Sequence, residues 1–104
     1  MDRIIAINQL ISENPLDPFL YYILALEEYK ALNKEKAIAI LEKLIMENPS
    51  YLASYYQLGQ WYAEQDLPDQ AISTWHLGLP IAKEQKEDKT YRELLAAIEA
   101  LEFE

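Results

Sequence analysis

Residues 55–75 read YYQLGQWYAEQDLPDQAISTW, and this stretch decides the fold. On both sides of the QDLPD segment at 65–69, apolar residues recur at steps of three and four, which is the spacing of one face of an α-helix. The Asp and Pro residues of that segment favour a turn. The pattern therefore predicts two helices that are joined by a tight turn.

The same pattern occurs a second time, thirty-four residues earlier in the chain. The tripeptide Glu-Asn-Pro at 13–15 recurs at 47–49, and Tyr-Tyr at 21–22 recurs at 55–56. The apolar positions keep the same register: Ile4, Ile7, Leu10 and Ile11 correspond to Ile38, Leu41, Leu44 and Ile45. Self-similarity at a fixed period of this length is the signature of a repeat protein.

The repeat resembles the tetratricopeptide repeat (TPR), a 34-residue helix pair with the pattern W-x2-L-G-x2-Y, then A-x3-F, then P. After an opening Tyr21 or Tyr55, the matching positions are Leu24, Ala25, Ala37 and Pro49 in the first copy and Leu58, Gly59, Tyr62, Ala71 and Trp75 in the second. Glu28 departs from the pattern because it stands where an aromatic residue is expected, and Lys83 replaces the second closing Pro. The resemblance implies an all-α, TPR-like α-solenoid of antiparallel helix pairs with about six helices.

The helix ends follow from turn and stop signals along the chain. Pro15 and Pro49 each end a helix, since the residue before a proline is pushed out of the helical region. We expect helices over about 2–13, 18–31, 34–47, 52–65, 68–84 and 89–103. We expect one domain, 1–104, made of a partial repeat at 3–15, full repeats at 18–51 and 52–85, and a C-terminal capping helix at 89–103. If the charged run at 83–89 stays helical, the last two helices fuse.

Individual residues carry further expectations. Asn33 is suited to cap a helix or to adopt a left-handed conformation in its turn. Thr90 and Glu93 have the spacing of a capping box at the start of the last helix. In a TPR-like fold, Gly59 and Ala25 stand where the paired helices approach most closely. Gly59→Leu is expected to cost about 1–3 kcal/mol by overpacking, whereas Gly59→Ala is expected to be mild.

The composition excludes several classes of function. The chain has 104 residues, of which 51% are hydrophobic, enough for one globular domain. It has no Cys, so disulfides, thiolate metal sites and Cys nucleophiles are excluded. Eighteen acidic against nine basic residues give a net charge of −9, which argues against binding nucleic acid or an anionic membrane. No stretch reads as a leader or a membrane span, and we expect a cytoplasmic protein.

The sequence also offers no set of residues for catalysis. His76, the one histidine, falls on the polar side of its helix, and only two Gly are present, too few for a phosphate-binding loop. Asp66 and Asp69 flank Pro68 in a turn, where helix capping explains them better than cation binding. We therefore expect no enzyme, no cofactor and no metal.

The resemblance implies that the first helices of successive pairs line a concave groove, where proteins of this family usually bind peptides. The positions on these helices that face away from the core are expected to bind the partner: Phe19, Tyr22, Leu26, Tyr29, Tyr56 and Gln60. Their aromatic and apolar character, with no Lys or Arg between Lys43 and Lys83, disfavours a clamp for a partner's C-terminal carboxylate. An apolar, aromatic or basic segment suits the groove better.

Three interpretations of this surface stay open. In the first, the chain is a non-catalytic protein–protein interaction module or scaffold that binds a peptide or protein segment. In the second, the groove closes on another copy and the protein is a structural homo-oligomer. The terminal helix or a partial repeat could also cover these residues, which would make them ordinary core.

Overall fold

The computed structural model of the chain describes residues 2–103, and within that range it contains six α-helices and no strand. The helices are α1 (Arg3–Glu13), α2 (Pro18–Lys30), α3 (Lys34–Glu47), α4 (Ala53–Glu64), α5 (Pro68–Glu84) and α6 (Asp88–Glu102). Every end lies within one residue of the bounds expected from the sequence. The predicted all-α fold is confirmed.

The helices form two compact units, which divide between Tyr51 and Leu52. This is the position at which the sequence separates the first full repeat, 18–51, from the second, 52–85. The assignment of all residues to one domain, with those repeat bounds, stays a prediction. The two units are described one at a time below.

In the first unit α2 packs against α3 on one side and against α1 on another. The buried apolar side chains come from all three helices: Ile7, Leu20, Leu24, Ala25, Ala37, Leu41 and Leu44. The start of α2 is fixed locally, because the Asp17 carboxylate accepts a hydrogen bond from the Phe19 N–H at 3.0 Å and Pro18 occupies the first helical turn. Asp2 caps α1 in the same way through the N–H of Ile4, at 2.9 Å.

In the second unit α5 packs against both α4 and α6. Its buried apolar side chains are Tyr55, Leu58, Trp61, Tyr62, Ala71, Trp75, Ala82, Leu94 and Ile98. Gly78 lies in the middle of α5, where a Cβ would be 2.9 Å from Tyr55 Cβ and 3.0 Å from Leu94 Cδ1. The absence of a side chain at Gly78 therefore allows both neighbouring helices to approach α5.

The three turns after α2, α4 and α5 share one backbone geometry. Each contains one residue with positive φ, namely Leu32 (69°), Asp66 (62°) and Lys86 (59°). The N–H of the next residue donates to the carbonyl five residues earlier: Asn33 to Glu28, Leu67 to Tyr62 and Glu87 to Ala82, each at 2.9 Å. This 6→1 bond is the Schellman motif, which satisfies carbonyls at the end of a helix.

The turns and helix starts differ from the sequence-based predictions at Asn33 and Thr90, and they show whether α5 and α6 fuse. Leu32, not Asn33, holds the left-handed conformation, and Asn33 makes no side-chain cap on α3. The capping box at Thr90 is wrong, because α6 already begins at Asp88 and has no side-chain cap. Residues 85–87 separate α5 from α6, so the last two helices do not fuse.

Candidate interaction surfaces

Four of the predicted binding residues lie along one face of α2. Phe19, Tyr22, Leu26 and Tyr29 follow one another at steps of three and four residues, so they form a stripe on the side of the helix opposite Leu24. We name these four residues the α2 surface. Phe19 is 52% exposed, and the other three are half-buried.

Tyr22 is held by a second tyrosine that the sequence analysis did not assign to the surface. The ring of Tyr51, which follows α3, lies with its centroid 5.8 Å from that of Tyr22 and is tilted by 56°. Burial raises the pKa of both phenols, and for Tyr51 the nearby Tyr22 and Asp17 add to this. Both hydroxyls therefore stay protonated at neutral pH and can act as hydrogen-bond donors.

Tyr29 already has a cation above its ring. The Nζ of Lys34, in the first turn of α3, lies 5.3 Å from the centroid of the Tyr29 ring. A cation at this distance is attracted to the negative face of the aromatic ring. This contact links the end of the α2 surface to α3.

Leu26 also lines an open cleft between α1 and α2. The cleft has a volume of about 330 Å³ and is lined by Arg3, Ala6, Ile7, Ile23, Leu26 and Glu27; we name it the α1–α2 cleft. Its two charged residues approach each other, with an Arg3 guanidinium nitrogen 3.7 Å from Glu27 Oε1. Lys30 donates to the other oxygen of Glu27 at 3.1 Å. The apolar floor of the cleft remains open between these charges.

The two remaining predicted binding residues lie on α4, in the second unit. Tyr56 is half-buried and Gln60, one turn later, is exposed. The Tyr56 ring centroid is 6.5 Å from that of Trp75, and the Tyr56 carbonyl accepts a hydrogen bond from Trp75 Nε1 at 3.1 Å. Tyr56 is therefore held against α5. That the six predicted residues bind a partner stays a prediction.

Comparison of the sequence with protein-family models and with curated proteins gave no match. Among solved structures, a tetratricopeptide repeat domain protein from Salinibacter ruber, determined by NMR, is 39% identical with a TM-score of 0.81 over 85% of this chain and 89% of that one. The chain belongs to the tetratricopeptide repeat family. A crystal structure of a TPR domain protein from the same organism is 38% identical, with a TM-score of 0.78 over 83% of this chain and 96% of that one. MamA, 20% identical with a TM-score of 0.66 over 94% of this chain and 64% of that one, shares the fold.

Glu28 is the main departure of this TPR protein from the repeat pattern, and it is buried. The residue is 1% exposed. Its Oε2 lies 2.9 Å from Lys36 Nζ, and its Oε1 accepts a hydrogen bond from Asn33 Nδ2 at 2.8 Å. The ion pair with Lys36, with a smaller contribution from the Asn33 hydrogen bond, holds the pKa of the Glu28 carboxyl below its ordinary value even though burial opposes this shift. The carboxylate thus ties α2 to the turn and to α3.

Gly59, which matches the repeat pattern, lies directly under Trp75. A Cβ at Gly59 would be 2.5 Å from Trp75 Cδ1 and 2.7 Å from Cε2, and closer still to Nε1. The close approach expected at Gly59 is therefore confirmed, but the expectation that Gly59→Ala is mild is wrong. In the first repeat the equivalent positions hold Ala25 and Leu41. Because the Leu41 side chain is smaller than that of Trp75, it leaves room for the methyl group of Ala25.

The described residues were also compared with the requirements of a metal site and of a membrane-spanning helix. His76 is exposed on α5. Across residues 2–103, no three side chains of His, Asp or Glu are grouped as they would be to hold a metal ion. No helix in the described part of the chain is long and apolar enough to cross a membrane.

Proposed function

We propose that this TPR protein is a non-catalytic interaction module whose α2 surface binds a peptide or protein segment. The fold itself generally serves protein–protein interaction or scaffolding, because stacked helix pairs present extended binding surfaces. The proposal for this chain is narrower, since it names the surface and the character of the partner. Tyr56 and Gln60 on α4 are proposed as further contact residues.

The observation that carries the proposal is Phe19. It is 52% exposed and belongs to a stripe with Tyr22, Leu26 and Tyr29. Contiguous exposed aromatic surface usually marks an interaction site, because aromatic side chains contribute a large apolar area to an interface. Single exposed apolar residues are common on protein surfaces, whereas an exposed Phe that continues an aromatic stripe indicates a binding surface.

The charges favour a partner segment with basic and apolar residues. The net charge of −9 attracts a basic segment at long range. At short range, the aromatic rings of Phe19 and Tyr22 can accept a partner's Lys or Arg on their faces, as the Tyr29 ring accepts Lys34 within the chain.

A selection from a random peptide library tests the proposal. We expect the selected peptides to be enriched in aromatic and basic residues, and their affinity to fall by tenfold or more, about 1.4 kcal/mol, in Phe19→Ala. Leu77→Ala is the matched control, because Leu77 is 61% exposed on α5 and lies outside the α2 surface. Thermal melts of both variants are expected to match the parent chain.

Two results would contradict the proposal. One is a Phe19→Ala variant that binds the selected peptides as tightly as the parent chain does. The other is a selection that yields mainly acidic peptides. Tyr22→Ala and Tyr56→Ala are less suitable as first variants, because each removes a ring that also contacts Tyr51 or Trp75 within the fold.

A further inference from the structure

The α1–α2 cleft lies where the repeat pattern would place another helix. By the thirty-four-residue register, α1 corresponds to α3, which is the second helix of its pair and packs against α2. Within residues 2–103, no first helix packs against α1 in the way that α2 packs against α3. The α1 face that corresponds to the paired face of α3 is therefore open.

The exposure of equivalent residues shows this open face. Leu44 on α3 is only 3% exposed, whereas its equivalent on α1, Leu10, is 44% exposed. The neighbouring Ile7 corresponds to Leu41; it is only 7% exposed, and it lines the α1–α2 cleft together with Ala6. The face of α1 thus has the apolar character of a second helix, but at Leu10 it lacks the cover that Leu44 has on α3.

Helix α6 corresponds to the first helix of a pair, whereas α1 corresponds to the second. Tyr91, Leu94 and Ile98 repeat the spacing of Tyr55, Leu58 and Tyr62 on α4. On α4, the face with Tyr55 and Gly59 packs against α5, its second helix. On α6, the equivalent positions are Tyr91, which is half-buried, and Leu95, which is 38% exposed.

The repeat register assigns facing positions to the two faces, and it sets Leu95 of α6 opposite Ile7, which is smaller than the Trp75 that faces Gly59. In the second unit Gly59 faces Trp75, and Tyr55 faces Gly78; the same relation would place Leu95 against Ile7, and Tyr91 against Leu10. A Tyr–Leu combination at these positions already occurs in the chain, where Tyr21 and Leu44 line one cleft between α2 and α3.

Arg3 offers a positive charge at the edge of the cleft, beside the Glu27 carboxylate that it contacts at 3.7 Å. Arg3 takes the place of Ala37 in the repeat register, and its side chain is 76% exposed at the edge of the α1–α2 cleft. An antiparallel helix in the cleft would bring its C-terminal end to Arg3, because α1 begins there. In α6 that end carries the exposed Glu99 and Glu102.

We propose that α6 of one copy docks in the α1–α2 cleft of a second copy and completes a helix pair between them. The contact is head-to-tail, because it joins two different faces, so it leaves one open face at each end and can be repeated. It is separate from the binding of a peptide by the α2 surface, although the two share Leu26.

The test uses two variants that each block one face, Leu10→Glu on α1 and Leu95→Glu on α6. In sedimentation experiments from micromolar to near-millimolar concentration, we expect the mass of the parent chain to rise beyond that of a dimer. Each variant alone should stay monomeric, because one face of every contact is blocked. An equimolar mixture should form a dimer, since Leu10→Glu keeps a working α6 and Leu95→Glu keeps a working cleft.

Two controls keep the result interpretable. Leu77→Glu introduces the same change at an exposed leucine outside both faces and should assemble as the parent chain does. Far-UV circular dichroism verifies that each variant folds, and Leu10→Asn and Leu95→Asn replace any that does not.

Three outcomes would overturn the proposal. They are a monomeric parent chain across the whole range, a mixture that stays monomeric, and assembly that survives Leu95→Glu. Phe19→Ala separates this proposal from self-association through the α2 surface: it should leave assembly unchanged here, and loss of assembly in that variant would assign the contact to the α2 surface instead.

Discussion

Trp75 donates a hydrogen bond from its indole Nε1 to the backbone carbonyl of Tyr56, 3.1 Å away, and the same ring covers the neighbouring Gly59. The bond joins α5 to the backbone of α4, so the indole cannot move aside without losing it. In the first repeat the equivalent positions hold Leu41 and Ala25, and both are fully buried. The second repeat therefore combines the smallest residue with a large aromatic one, whereas the first repeat combines Ala with Leu.

We expect Gly59→Ala to lower the free energy of unfolding by about 1–3 kcal/mol, because the new methyl group overlaps the Trp75 ring. The double variant Gly59→Ala/Trp75→Leu recreates the Ala25 and Leu41 pair of the first repeat. In that background, Gly59→Ala should cost about 1 kcal/mol less than it does alone. Urea unfolding of the four members of the cycle measures this coupling, and purely additive effects would contradict the assignment.

The buried Glu28 makes stability depend on pH. Its pKa is lowered in the folded state by Lys36 and Asn33, so the stability it contributes is present above the ordinary Glu pKa of about 4.3 and is lost as the pH falls through the folded-state value. We expect the difference in unfolding free energy between neutral and acidic pH to shrink in Glu28→Gln. Glu35→Gln changes an exposed carboxylate nearby and should leave the difference almost unchanged.

Lys86 is expected to be a site where glycine stabilises the protein. Its φ of 59° is costly for a residue with a Cβ. Lys86→Gly should therefore raise the free energy of unfolding by about 0.5–1 kcal/mol, after the added flexibility of the unfolded chain is counted. Arg92→Gly removes the same charge inside α6 and should instead cost about 1 kcal/mol. Thermal melts distinguish the two, and equal losses in both variants would refute the left-handed turn.

The helix starts give a contrasting pair of variants. Asp17→Ala removes the carboxylate that caps α2 and should cost about 1 kcal/mol. Thr90→Ala should change stability by less than about 0.5 kcal/mol, because Thr90 does not cap α6. Chemical denaturation measures both, and a large loss at Thr90 would restore the capping box.

The helix bounds could be predicted because the signals that set them are local. Pro15 and Pro49 end helices through the sterics of their own peptide bonds, and Pro18 and Pro68 fit only a first turn. The stripe on α2 could be predicted for a similar reason, since helical periodicity fixes which side chains share a face.

The remaining features depend on which side chains meet in space. Glu28 appeared as a mere departure from the pattern, although Asn33 and Lys36 follow it at five and eight residues and could have indicated a partnered carboxylate. The left-handed Leu32 was missed because residue preference favoured Asn33, whereas the amide of Asn33 bonds to Glu28 instead. The likeness of Gly59 to Ala25 does not predict the cost of Gly59→Ala, because the position of the Trp75 ring distinguishes the two sites.

Within each unit, the helices that pack together are neighbours along the chain. Few residues have to be closed into a loop before a helix pair can form, so the entropy lost before the first contacts is small. Proteins rich in such local contacts fold in microseconds to milliseconds, whereas a chain emerges from the ribosome at only about 5–20 residues per second. Helices α1 to α3 can therefore pack while the residues of α5 and α6 are still being synthesised.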